Sequence, residues 1–77
     1  MRIIVLFDLP VESAVDRSEY SKFRRFLIKS GFLMMQESIY CKLAANSTMA
    51  DSIGASVKRN KPPRGLVQIL KITEKQY

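Results

Sequence analysis

The sequence predicts an α+β sandwich, a four-stranded antiparallel sheet with two helices on one face, built by residues 1–77 as a single domain. Three observations lead there. Short apolar runs of strand character alternate with two segments of helical period. Capping residues, glycine and proline bound those two segments. And 77 residues allow one domain only.

The elements follow in chain order. Arg2 to Phe7 is a short apolar run rich in β-branched residues, which predicts a strand buried on both faces. Asp8 ends it and Leu9-Pro10 turns the chain. A helix can start at Ser13 with Asp16 at capping-box spacing, or at Asp16 with Glu19. It runs to about Ser30 and stops at Gly31, a good C′ residue. Tyr20, Phe23, Leu27 and Ser30 fall on one side, with Phe26 at its edge, and Lys22, Arg25 and Lys29 form a stripe on the other. Arg24 sits at the boundary. Phe32 to Met35 and Ser38 to Leu43 read as two strands joined at Gln36-Glu37. Asn46, Ser47 and Thr48 offer caps for a second helix, Thr48 with Asp51 at box spacing. Its apolar stripe is Met49, Ile53 and Val57, and it ends before Pro62-Pro63. Leu66 to Thr73 is the last strand. Leu66, Leu70 and Ile72 share one face with Gln68; Val67 and Ile69 lie on the other.

Strand, helix, strand, strand, helix, strand is the order of the ferredoxin-like βαββαβ fold. Its first and third strands are central and both helices cover one face. The second face is then exposed at a cost or covered by a partner. Composition points the same way. A core this small needs a disulfide, a metal or oligomerisation. One cysteine and no histidine exclude an intrachain disulfide and a standard zinc site, so a homodimer remains.

The missing histidine also excludes Ser-His-Asp and Cys-His catalysis. Thirteen Lys and Arg against seven Asp and Glu give a net charge of +6, the balance of a phosphate-binding domain. A membrane is not the expected partner: the longest apolar run, Ile3 to Phe7, is far short of a span. The lone Cys41 fits a reducing compartment, so a cytoplasmic location is expected.

Asp8 is the first candidate for chemistry, a carboxylate at the carboxyl end of an apolar strand. Two readings stand: it caps the loop before Pro10, or it holds a metal. Mg²⁺ takes oxygen ligands and keeps several waters, so one or two carboxylates can hold it. A two-fold axis near the strand end would bring a second Asp8 into the same site. Lys58, Arg59, Lys61 and Arg64 lie close together with no acid among them, on what reads as a stiff proline loop. They are either a solvated loop or, with Lys22, Arg24, Arg25 and Lys29, a surface for nucleic-acid phosphates. No aromatics interleave these cations, which favours backbone contact to a duplex over base stacking. Ser38 and Tyr40 alternate and share a face, a pattern that ordinary strands also show. Cys41 reads as a small buried apolar residue, and Met34 and Met35 as core filler.

Together, "RIIVLFDLP", "YSKFRRFLIKSGF", "MMQESIYCKL" and "KPPRGLVQILKITEKQY" resemble the CRISPR-associated Cas-two family, and most of all its members in type II systems. The resemblance runs through nearly the whole chain in order. It implies a ferredoxin-like homodimer whose sheets face each other, and a small endonuclease acting on RNA or duplex DNA with Mg²⁺ or Mn²⁺. The family aspartate falls on Asp8, the hairpin serine on Ser38 and the aromatic two residues later on Tyr40. It also implies a partner, the Cas-one integrase, whose dimers such a subunit bridges while holding DNA during spacer acquisition. In that role the nuclease can be dispensable. Two features depart from the pattern. Met34 and Met35 stand where many members carry basic residues, and members usually continue past Tyr77 into a strand that adds to the partner's sheet. Besides the nuclease, a structural DNA-holding adaptor and a toxin-type ribonuclease of the same fold stand as alternatives. An unrelated RNA-binding module lacks its aromatic pattern in "SIYCKL".

Overall fold

Ile3, Val5 and Phe7 alternate with Arg2, Ile4, Leu6 and Asp8, and this alternation sets the layers of the computed structural model, which describes residues 1–73. The elements are β1 (Arg2–Asp8), α1 (Ala14–Lys29), β2 (Leu33–Gln36), β3 (Ile39–Leu43), α2 (Ser47–Asn60) and β4 (Leu66–Ile72). The sheet runs β2-β3-β1-β4 with every pair antiparallel, so β1 and β3 are central, as the ferredoxin-like order requires. The expected continuation of the chain past Tyr77 lies outside the described residues.

Both helices cover the face that carries Ile3, Val5 and Phe7. Those three side chains are buried with Phe23, Leu27, Tyr40 and Val57. The other face of β1 is only half-buried at Ile4 and Leu6. In the single chain β1 is therefore not buried on both faces, because two helices cover one side of a four-stranded sheet and no more. Residues opposite each other in the ladder share a face. Cys41, Leu70 and, through Cys41, Leu33 thus extend the Ile4 side, where Leu33 is 72% exposed and Leu70 48%. Cys41 lies half-buried there rather than in the core. Met34 and Met35 are exposed and fill no core space.

Of the two starts for α1, the chain uses Ser13. Its Oγ accepts from the Asp16 N–H at 3.0 Å, and Asp16 reaches back to the Ser13 N–H. At the other end Gly31 takes φ +92°, and Lys42 of β3 donates to the Ser30 carbonyl, a cation on the negative end of the helix. The β2–β3 connection falls one residue later than expected, on Glu37-Ser38. The usual two-residue hairpin turns need positive φ, and among the described residues no non-glycine residue has it. A bulge between Met34 and Gln36 takes up the extra residue instead.

In α2, Asn46 is the cap, accepting from the Met49 N–H at 2.9 Å, and the Thr48–Asp51 box does not form. Asp51 pairs instead with Lys71 across to β4, at 2.7 Å. Ala50, Ile53 and Val57 face the sheet, and Met49 is half exposed. The small side chain of Ala50 lets the helix approach where Met49 was expected. The helix also continues to Asn60, so Lys58 and Arg59 lie on its last turn and not in a loop.

Phe23 is 1% exposed and meets Phe7 edge-on at 5.3 Å between ring centroids. Truncating such a ring costs about 3–5 kcal/mol. A domain of this size has only about 4–12 kcal/mol to lose. Phe23→Ala is expected to leave the isolated chain largely unfolded at 37 °C, as circular dichroism melts would show.

Candidate active site at the end of the first strand

Asp8 is the last residue of β1 and pairs with Leu66, the first of β4. By alternation its side chain lies on the open face with Leu6, away from the helices. It is exposed, and among the described residues its carboxylate makes no hydrogen bond or ion pair. The loop-capping reading of Asp8 therefore has no contact to support it. A shallow solvent-open cleft of about 200 Å³ surrounds the strand end, lined by Leu6, Phe7, Asp8, Ser38, Ile39, Leu66 and Gln68. Asp8 is its one carboxylate among the described residues.

Ser38 reaches this cleft because it sits in the turn and not in the strand. Its carbonyl accepts from the Phe7 N–H at 3.1 Å, which fastens the turn beside the residue before Asp8. Tyr40 is fully buried on the helix side. Ser38 and Tyr40 thus do not share a face, and the fold brings together Asp8 and Ser38 but not Tyr40. The Tyr40 ring stacks on Phe7 at 5.7 Å, and its hydroxyl accepts from Arg24 Nε at 3.1 Å. Phe7 also meets Tyr20 and Phe23, so the aromatic cluster holds the backbone immediately before Asp8.

Among the described residues no group of three Asp, Glu, Cys or His is arranged to hold a metal. The chain offers one free carboxylate at the strand end, with a serine hydroxyl in the same cleft. That oxygen-only set fits a hard ion that keeps most of its waters, and does not fit a soft one.

The predicted cations lie outside the cleft. Lys22, Arg24, Arg25 and Lys29 are exposed along α1. Arg24 and Arg25 line a second open depression with Tyr20, Ser21, Met34 and Glu37, which shares no lining residue with the Asp8 cleft. Lys22 lies 3.7 Å from Glu19. Lys58, Arg59 and Lys61 are exposed and make no ion pair among the described residues. Arg64 does: its Nη1 donates to both oxygens of Asp16, at 3.0 and 3.2 Å. Among the described residues no helix is long and apolar enough to cross a membrane.

Two features next to Asp8 have no counterpart among the sequence-based expectations. One is the Arg64–Asp16 pair, between residues 48 apart in the chain. The other is Gly65, at φ +98°, which packs on the peptide that follows Asp8; a Cβ there would stand 2.8 Å from the Asp8 carbonyl oxygen and 2.7 Å from Leu9 Cδ2. A glycine directly before an apolar strand is the only signal the sequence carries of it.

Comparison with known proteins adds a family. The family model described as CRISPR-associated protein Cas2 matches residues 1–77. A protein of Treponema denticola named CRISPR-associated endoribonuclease Cas2 is 58% identical over 77 residues, covering all of this chain and 76% of that one. Proteins of the same name from Streptococcus mutans and Ligilactobacillus salivarius are 43% and 44% identical over the whole chain, which covers 71% and 76% of their lengths.

Proposed function

Because the chain belongs to the CRISPR-associated Cas2 family, we propose that it is a metal-dependent endonuclease that cuts RNA, working as a homodimer with Asp8 as its essential carboxylate. The observation that carries this is Asp8 itself. It is an exposed acid at the end of a central strand, in a cleft where, among the described residues, it has no structural partner and no second acid beside it. Its relatives are named endoribonucleases. Bound Mg²⁺ or Mn²⁺ supplies charge neutralisation at the scissile phosphate and acidifies the attacking water. The chain's own part is to present Asp8, to hold the Ser38 turn beside it through the Phe7 N–H, and to offer Arg24 and Arg25 to phosphates from a separate depression. The open apolar sheet face supports the dimer, and a second Asp8 would complete the site across its axis.

A second reading concerns binding rather than cleavage. Lys58, Arg59 and Lys61 project from the end of α2 without acidic partners among the described residues, a surface suited to duplex phosphates. It supports a role in holding DNA and bridging the Cas-one integrase during spacer acquisition, and the two roles can coexist. One experiment tests both. Single-stranded RNA and duplex DNA are incubated with the purified protein in Mg²⁺, in Mn²⁺ and in EDTA. RNA cut in either metal and intact in EDTA is the expected result; RNA intact in all three overturns the hydrolytic reading. Duplex binding should persist in EDTA and weaken steeply with salt. When Lys58, Arg59 and Lys61 become alanine, the log–log slope should flatten by about 0.9 for each phosphate no longer neutralised. Binding indifferent to salt and to that triple change overturns the adaptor.

A further inference from the structure

The geometry points to Asp16, Arg64 and Gly65 as a clamp that positions Asp8, a role that rests on the nuclease reading above. The strand end that carries Asp8 is held on its near side by the Phe7 ring cluster and the Phe7 N–H bond to Ser38, which leaves the Asp8–Leu9 peptide to be fixed from the other side. The Asp8 side chain has no partner among the described residues, and β1 gives way to the Leu9-Pro10 turn at the next residue. What closes over it is the loop before β4. Gly65 lies so near the Asp8–Leu9 peptide that a methyl group would collide with the Asp8 carbonyl oxygen, and its φ of +98° is one that L side chains rarely adopt. The loop is pinned at the preceding residue. Arg64 is 65% exposed, yet its guanidinium ends on a carboxylate only 5% exposed.

Asp16 in turn is fixed by α1, where it forms the capping box with Ser13. The carboxylate thus joins the start of α1 to the loop that seats the Asp8 peptide. The pair lies beside a mostly apolar crevice of Leu9, Pro10, Val15, Tyr20, Pro62 and Pro63 with Glu19, and the Asp16 carboxylate is the end of the pair withdrawn from water. Helix start, loop and catalytic strand end move as one body while the pair holds. Released, Gly65 and the Asp8–Leu9 peptide lose their common anchor.

Two variants separate this role from a phosphate contact by Arg64. Arg64→Ala removes both roles. Asp16→Asn keeps an oxygen to cap α1, removes the pair and leaves Arg64 free for phosphate. The clamp predicts that both lower kcat for RNA by about ten- to a hundredfold with KM nearly unchanged, and that Arg64→Lys restores part of the loss. A phosphate contact predicts instead a raised KM in Arg64→Ala and none in Asp16→Asn. The second readout needs neither substrate nor metal. The ¹⁵N order parameters of Asp8 and Leu9 in the full chain should fall from about 0.85 toward 0.6 in both variants. Order parameters unchanged in both, or kcat within twofold of the wild type in Asp16→Asn, overturn the clamp. Asp8→Asn runs alongside. If that variant cleaves normally the nuclease reading fails, and the order parameters alone then decide whether the clamp exists.

Discussion

Asp8→Asn is expected to lower RNA cleavage by about a hundredfold or more while leaving fold and duplex binding unchanged. The substitution keeps the shape of the side chain and removes its charge. Aspartate at this position holds nothing together among the described residues, since it makes no hydrogen bond or ion pair and faces solvent. Exposed substitutions of that kind usually alter stability by no more than about 0.5 kcal/mol. The catalytic loss is of another order. Charge stabilisation by a bound metal is worth several kcal/mol, and each 1.36 kcal/mol is about tenfold in rate. Single-turnover cleavage across a Mg²⁺ titration separates two forms of the loss. A lower plateau at saturating metal means that the charge acts in the transition state. A shifted midpoint with the same plateau means that Asp8 only recruits the ion. Cleavage within threefold of the wild type at all metal concentrations removes Asp8 from the mechanism. A melting temperature that falls by more than a few degrees would show that Asp8 has a structural task after all.

Asp8 is legible in the sequence because its position is a local fact: a carboxylate directly after an apolar run, before a proline. The same holds for the order of elements, which rests on signals a few residues apart, whereas the choice of Ser13 over Asp16 as the first cap came only with the structure. What is not legible depends on contacts between distant segments. The sequence places Asp16 at a helix start but cannot show that Arg64, 48 residues on, closes over it. Gly65 sits before a strand in plain view, yet its importance comes from the Asp8 carbonyl packed against it. Counting in twos puts Ser38 and Tyr40 on one face, but Ser38 lies in the Glu37-Ser38 turn, where strand alternation does not hold. Met49 fits the helical stripe of α2 by period, but the sheet selects the smaller Ala50 one residue later. Periodicity names a face; packing decides which residue on its edge is buried.

Leu70→Lys is expected to convert a dimer into monomers. Leu70 lies on the edge strand β4 opposite Ile4 of the central strand, on the open face that also exposes Leu33, Leu43, Leu66 and Ile72. A leucine fully buried at an interface contributes about 1.5–3 kcal/mol, and a two-fold axis counts each substitution twice. The loss of about 3–6 kcal/mol raises the dissociation constant by about 10² to 10⁴. Sedimentation equilibrium of the full chain reads this directly. Val15→Lys is the control. Val15 is 70% exposed, but on the first turn of α1 and not on the sheet, so the same charge there should leave the mass of the dimer unchanged. Equal masses for wild type and Leu70→Lys would place any dimer on another surface. The monomer has a second consequence. Among its described residues one chain brings a single carboxylate to the cleft. If the partner supplies the other, cleavage by Leu70→Lys should return as protein concentration rises through its new dissociation constant. A monomer that cuts at full rate would confine the whole reaction to one Asp8.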